Sequence, residues 1–230
     1  REALLAHYRR DLENAKKYGA EYVVFHVTDA SIPETLRCRF HRTDAEVIDA
    51  SCELLNLLFD GVTDGPALLL ENLWESGLTM TEPELTARLM DGVEYKNKGI
   101  MLDTGHLMHT QSALQNQRQA LSYIHTVLDR HGELCKAIRG VHLQQSITGR
   151  YMRRIAKNPP ELAADYPGRS YQLFEYVFRV DQHKPFTCAG VPELIARIAP
   201  EYLTFEFISN DLPQLRRMLH RQQNVFQKKT

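Results

Sequence analysis

Gly99-Ile100-Met101-Leu102-Asp103-Thr104-Gly105-His106 is the stretch on which the reading of this chain turns. A short apolar run closes on a carboxylate, and a glycine and a histidine follow at once. Four other runs have the same form: Tyr22-Val-Val-Phe-His26, Ala67-Leu-Leu-Leu-Glu71, Ile138-Arg-Gly-Val-His142 and Tyr202-Leu-Thr-Phe-Glu206. Each is strand-like, and each ends in a side chain that binds divalent cations. A parallel barrel gathers the carboxyl ends of its strands around one mouth, so five such endings would converge there. Successive endings are spaced as barrel units of roughly 31 residues require, one unit for each of the first three gaps and two for the last. The double gap calls for a sixth strand between His142 and Glu206. Tyr176-Val-Phe-Arg-Val-Asp181-Gln-His183 is the stretch that fits, and it too ends in metal-type residues.

Helical patterns alternate with these runs. Leu4, Leu5, Tyr8, Leu12 and Ala15 share one face over residues 1–18, with Gly19 placed to stop that helix. Thr43 with Glu46, and Thr81 with Glu84, have capping-box spacing at the head of two more helices. A long helix is expected near 111–131, and shorter ones near 191–199 and 211–222. Residues 143–175 break the rhythm, because Asn158-Pro-Pro160 and Tyr166-Pro-Gly168 read as a long excursion. Strand alternating with helix predicts a parallel sheet covered by helices. The expected fold is therefore α/β, a single (β/α)8-like domain over 1–230. Six strands are counted, so the first two units of the barrel are expected to be absent from this chain. Its first residue is Arg1, and a natural start upstream is expected.

Bulk properties narrow the function. The chain has 230 residues and a formal charge of −1, so no overall basic field draws in nucleic acid or an anionic membrane. No apolar stretch reaches the ~20 residues a spanning helix needs. Cys38, Cys52, Cys135 and Cys188 are scattered without a CxxC pair, which reads as reduced thiols in a cytoplasmic protein. Nucleotide-binding glycine loops and the GxSxG elbow are lacking.

Metal chemistry is what remains. Glu71, Asp103, His142 and Glu206 make a four-ligand set of hard donors suited to Zn, Mn, Mg or Co. His26 can join them. His106, three residues past Asp103, can bind metal or orient a substrate hydroxyl. Asp181 and His183, two apart on the expected strand, would face one way and share a cation. Trp74 can offer a flat shelf to a sugar ring, and Arg150 and Arg154, with Arg153 and Lys157 nearby, can meet a phosphate. The remaining histidines, His109 among them, read as packed or solvated.

Leu70-Glu71-Asn72, Asp103-Thr-Gly-His106, Arg139-Gly-Val-His142-Leu and the strand-end Glu206 resemble the xylose-isomerase-like TIM-barrel superfamily, over most of residues 10–210. The resemblance implies a TIM-barrel-like fold and two alternative chemistries. In the epimerase-like members one metal is held by the matches of Glu71, Asp103, His142 and Glu206. The two glutamates carry the proton there, and the match of His106 contacts substrate. In the endonuclease IV-like members three metals are held, and His26, Glu71, Asp103, His106, His142, Asp181, His183 and Glu206 match their ligands. Arg179-Val-Asp181-Gln-His183 resembles the second branch. Leu143-Gln144-Gln145, where that branch has Leu-Asn-Asp, departs from it. The leading expectation is a divalent-metal-dependent isomerase or epimerase of a sugar or sugar phosphate, with Glu71, Glu206 and His106 catalytic. A multinuclear phosphoesterase is the alternative, and a non-catalytic binding barrel the third. One to three ions are expected, nucleic acid is disfavoured as a partner, and a homo-oligomer is left open.

Overall fold

The structure, a computed structural model, describes residues 2–227. The chain opens on α1 (Glu2–Lys17), β1 (Tyr22–His26), α2 (Ile32–Arg37) and α3 (Asp44–Phe59). β2 (Ala67–Glu71), α4 (Pro83–Gly92), β3 (Lys98–Asp103), α5 (Thr104–His109) and α6 (Gln117–His131) follow. A 3-10 segment (Gly132–Ala137) leads into β4 (Ile138–His142), then α7 (Gly149–Lys157) and α8 (Tyr166–Val180). α9 (Val191–Ile198), β5 (Tyr202–Thr204) and α10 (Leu212–Gln227) complete the described chain.

Five strands form one parallel sheet in chain order, β1-β2-β3-β4-β5, curled into a half-barrel. Alternation along each strand divides its side chains between two faces. Ala67, Leu69 and Met101 point to the concave side, where Tyr22 of β1 and Tyr202 of β5 meet with ring centroids 4.6 Å apart. Leu68, Leu70, Ile100, Leu102 and Val141 face outward and join the helices in the main core. β2 is buried along its whole length, which explains a run apolar at every position before Glu71. Gly140 leaves room on the concave side for Met101, whose Cε would lie 2.6 Å from a Cβ there.

The same alternation aims the strand ends. Glu71 is two residues past Leu69, and Asp103 two past Met101, so both carboxylates face inward. His26 stands beside Glu71 and Asp103 beside His142 across the sheet.

Four expectations need correction. Among the described residues there are five strands, not six. Tyr176–Val180 is the last part of α8, a 15-residue helix capped by the Asp165 carboxylate accepting from Gly168 N. Its alternating apolar run is compatible with either element, and the Asp165-Tyr166-Pro167 start favours the helix. β4 pairs directly with β5, so no sixth strand fits between them. Asp181 and His183 thus sit in irregular chain just past α8, and Glu206 lies two residues beyond β5. Residues 143–175 are not one open excursion, since α7 and most of α8 occupy them. The Thr43–Glu46 capping box is present, but α4 is headed by Glu82 with Pro83 following, so Thr81 does not cap it. The long helix begins at Gln117, where Asn116 Oδ1 accepts from Gln119 N.

Candidate metal centre

β2, β3, β4 and the segment after β5 bring Glu71, Asp103, His142 and Glu206 together. One ligand atom from each lies within 4.8 Å of every other. His142 Nδ1 is central, 3.1 Å from Glu71 Oε1, 3.2 Å from Glu206 Oε2 and 4.0 Å from Asp103 Oδ2. His26 Nε2 flanks the set, 3.2 Å from Glu71 Oε2. Glu71 and Asp103 are closed off from solvent, whereas the side chains of His26 and Glu206 are 58% and 39% exposed. Those two mark the open side.

Beside this set lies a second. His106, Asp181 and His183 also offer ligand atoms within 4.8 Å of one another, and all three are buried. Asp181 Oδ2 is 3.1 Å from His106 Nε2 and 2.6 Å from His183 Nε2. The other ring nitrogens are committed: His106 Nδ1 donates to Asn72 O at 2.9 Å, and His183 Nδ1 to Glu206 O at 2.9 Å. Carbonyl acceptors of this kind fix both rings and turn both Nε2 atoms toward one point, as metal-ligating histidines require. His183 holds a left-handed backbone, φ 46°, which a residue with a side chain adopts at a cost and which concentrates at functional sites.

Gln144 joins the two sets. Its Nε2 donates to Asp103 Oδ1 and to Asp181 Oδ1, each at 3.0 Å, and its Oε1 accepts from Ser146 Oγ at 2.8 Å. Gly105 packs directly against that amide. Asn72 pins Asp103 by accepting from its backbone N–H at 2.9 Å and donating to its carbonyl at 3.1 Å. The run Leu143-Gln144-Gln145, a departure from the expected motif, therefore builds part of the site.

Charges are tightly balanced. Burial works to raise the Glu71 carboxyl, but the His142 ring bonded to it and the His26 ring beside it hold it down at about 2. Burial likewise opposes the charged form of His106, yet Asp103, Asp181 and Glu71 lift it to about 10. His183 is lifted to about 9, against its burial, by Asp181 and Asp103. Asp181 is buried but held well below the usual carboxylate range by His106, His109 and His183. Burial, with the charges of Asp181 and Glu71, pushes Asp103 upward. Ligation needs neutral imidazole, so protons leave these rings as a cation enters.

Whether a cation fits can be judged from atoms left over. Glu71 Oε2, Asp103 Oδ2 and Glu206 Oε2 are buried and accept no hydrogen bond of good geometry among the described residues, although the His26 and His142 rings lie 3.2 Å from the first and the last. Buried acceptors are ordinarily paired. Three orphaned oxygens on the members of one set are what a divalent cation would satisfy.

Every residue of the two expected ligand sets is thus at the mouth. Asp181 and His183 share a site, but with His106 and from a loop, not along a strand. His109 was read as packed or solvated. It is fully buried, its Nε2 lies 3.5 Å from Asp181 Oδ1, and burial pushes its pKa down. Its position three residues past His106, on the same face of α5, was the available signal. Trp74 packs edge-on against both rings, 5.3 Å from His106 and 4.7 Å from His109 between centroids. Arg150 and Arg154 lie apart from the clusters, on α7, and line a neighbouring cavity.

Residues 1–201 match the sequence family described as xylose isomerase-like TIM barrel. No curated protein matches the sequence. Among solved structures, a D-tagatose 3-epimerase-like protein superposes with a TM-score of 0.55 at 17% identity, covering 98% of this chain and 71% of its own. A structure described as AsfvAP:AG superposes with a TM-score of 0.51 at 16% identity, covering 99% of this chain and 68% of its own. At such identities the likeness is one of fold. No helix among the described residues is long and apolar enough to cross a membrane.

Proposed function

As the chain belongs to the xylose isomerase-like TIM-barrel family, we propose that it is a divalent-metal-dependent phosphoesterase whose mouth takes more than one cation. The observation that carries this reading is the second cluster. A one-metal isomerase needs only Glu71, Asp103, His142 and Glu206, with His106 free to meet substrate. Here His106 is engaged instead with Asp181 and His183, at 3.1 Å from the shared carboxylate. Glu71, Asp103, His142 and Glu206 would hold one ion, with His26 within reach of Glu71, and His106, Asp181 and His183 would hold another. Bound divalent cations would supply Lewis-acid stabilisation of the charge that builds on phosphate oxygens.

The protein's own groups have separate tasks. Gln144 keeps the Asp103 and Asp181 carboxylates aimed and Asn72 fixes the Asp103 backbone, so little reorganisation accompanies reaction. His26 and Glu206 border the open side from which a phosphoester would enter. Glu206 is the carboxylate of the set reached from solvent, so it is placed to accept the proton that an attacking water loses.

A second reading is the sugar isomerase or epimerase expected from the sequence. What favours it is the completeness of the first cluster, in which Glu71 and Glu206 flank His142 as two proton carriers would. A fold neighbour named as D-tagatose 3-epimerase-like agrees with it.

Hydrolysis of bis(4-nitrophenyl) phosphate by manganese- or zinc-loaded protein separates the two. The expected result is chelator-sensitive hydrolysis with two or more metal equivalents per chain. Asp181→Asn should remove about one equivalent and slow hydrolysis about a hundredfold or more. One equivalent, no hydrolysis, and isotope exchange at the carbon beside a sugar carbonyl would put the isomerase reading in its place.

A further inference from the structure

Between the start of α7 and the end of α8 lies a cavity of about 640 Å³, lined by Thr148, Arg150, Tyr151, Arg154, Arg179 and Gln182 together with Ile147. Its lining holds three guanidinium groups and no carboxylate. Arg150 and Arg154 are one helical turn apart and share a face of α7. The Arg154 guanidinium lies over the Tyr151 ring, 5.1 Å from its centroid, which holds it against the wall. Arg179 pairs with Glu175 at 3.4 Å, with both side chains exposed, a weak tie that a better anion can displace.

The backbone contributes in the same sense. α7 begins at this cavity, and its N-cap residue Thr148 does not cap it. The Thr148 hydroxyl turns away to donate to Val180 O at 2.7 Å. The first amides of α7 thus lack a side-chain acceptor, and Thr148 and Arg150 at that end of the helix line the cavity.

The cavity adjoins the second cluster at Gln182. Gln182 lies between Asp181 and His183 in the chain. Its neighbours turn into the second cluster, whereas Gln182 lines the cavity and its N–H donates to Ser146 Oγ at 2.7 Å. A charged face on a convex helix is usually just solvated. Three planar guanidinium groups in a concavity, matched to phosphate geometry and one residue from the clusters, point to a ligand.

We propose that this cavity binds a phosphate group of the substrate, distinct from the one engaged at the metal clusters. The inference rests on the phosphoesterase reading for its reacting phosphate, and it deepens that reading to a substrate with at least two phosphates. Such a substrate is either a phosphodiester chain or a sugar bisphosphate. The overall charge of −1 then matters less, because recognition is local.

The test is equilibrium binding to protein as purified. A fluorescein-labelled single-stranded decadeoxynucleotide is titrated by anisotropy, and a hexose bisphosphate and the unphosphorylated hexose are tested by tryptophan fluorescence and by competition. Wild type is compared with R150Q/R154Q/R179Q and, should the triple variant melt early, with R150Q/R154Q. The expected result is binding of at least one phosphorylated probe, weakened about tenfold or more by the substitutions. The salt slope for the oligonucleotide should fall by about one per arginine removed. Oligonucleotide binding that the bisphosphate cannot displace identifies a phosphodiester chain, and tight bisphosphate binding identifies the small substrate. Either supports the cavity. Wild type that binds neither probe, or variants that bind as wild type does, would overturn it. Loss of the diesterase reading with arginine-dependent binding intact would remove only the reaction.

Discussion

Glu71→Gln is expected to abolish tight cation binding at the first cluster, with affinity falling by more than about a hundredfold, beyond what loss of an outer-shell partner causes. Glu71 meets His142 at 3.1 Å, His26 at 3.2 Å and His106 at 3.4 Å, and its side chain is only 2% exposed. Gln keeps the shape and removes the charge that these three rings face. Breaking a buried charge network by deleting one member costs about 3 kcal/mol, so the chelated variant should also melt earlier than chelated wild type. The sign with pH follows from the depressed carboxyl. Its folded value of about 2 lies below the ordinary 4.5, so its contribution is complete above 4.5 and is lost as pH falls toward 2. Chemical denaturation of the two chelated proteins should therefore show a gap at neutral pH that narrows below 4.5. A variant that binds manganese as wild type does would remove Glu71 from the ligand set.

Gly105→Ala is the second large effect. A Cβ there would lie 1.9 Å from Gln144 Nε2, 2.1 Å from Cδ and 2.2 Å from Oε1. A flexible surface side chain would swing aside, but Gln144 is fully buried and its amide is tied to Asp103, Asp181 and Ser146. Relief means surrendering those bonds or moving α5. Overpacking of this kind costs about 3 kcal/mol, and it should loosen cation binding at the second cluster. A double-mutant cycle identifies the cause. Gln144→Ala alone orphans two carboxylates and should destabilise, yet Gly105→Ala in that background should cost less than about 1 kcal/mol, because the collision is gone. Equal costs in both backgrounds, read from denaturant midpoints, would mean that the amide is not what Gly105 accommodates.

The parts of the site that were legible in the sequence are those governed by strand alternation. Glu71, Asp103 and His142 end strands, and a period of two fixes the face on which each points. The parts that were not legible depend on irregular chain. Asp181 and His183 do lie side by side, but they were assigned to a strand, because Tyr176-Val-Phe-Arg-Val alternates well enough to imitate one. The helical spacing of buried Tyr176 and Val180, with exposed Phe174 and Phe178 on the other side, becomes decisive only when burial is known. That His106 meets Asp181 depends on the loop after α8 returning to the mouth, which no local pattern encodes. Gln144 reads in the sequence only as part of a departure from a motif, because an amide is not a ligand type, although it bridges the Asp103 and Asp181 carboxylates. The shift from a one-metal to a multi-metal reading comes from these residues.

Anomalous diffraction from crystals of the manganese- or zinc-loaded protein tests the central claim most directly. Cation binding at both clusters predicts separate peaks, one within bonding distance of Glu71, Asp103, His142 and Glu206, and another within bonding distance of His106, Asp181 and His183. A single peak at the first set, with His106 and His183 still hydrogen-bonded to Asp181, would contradict it.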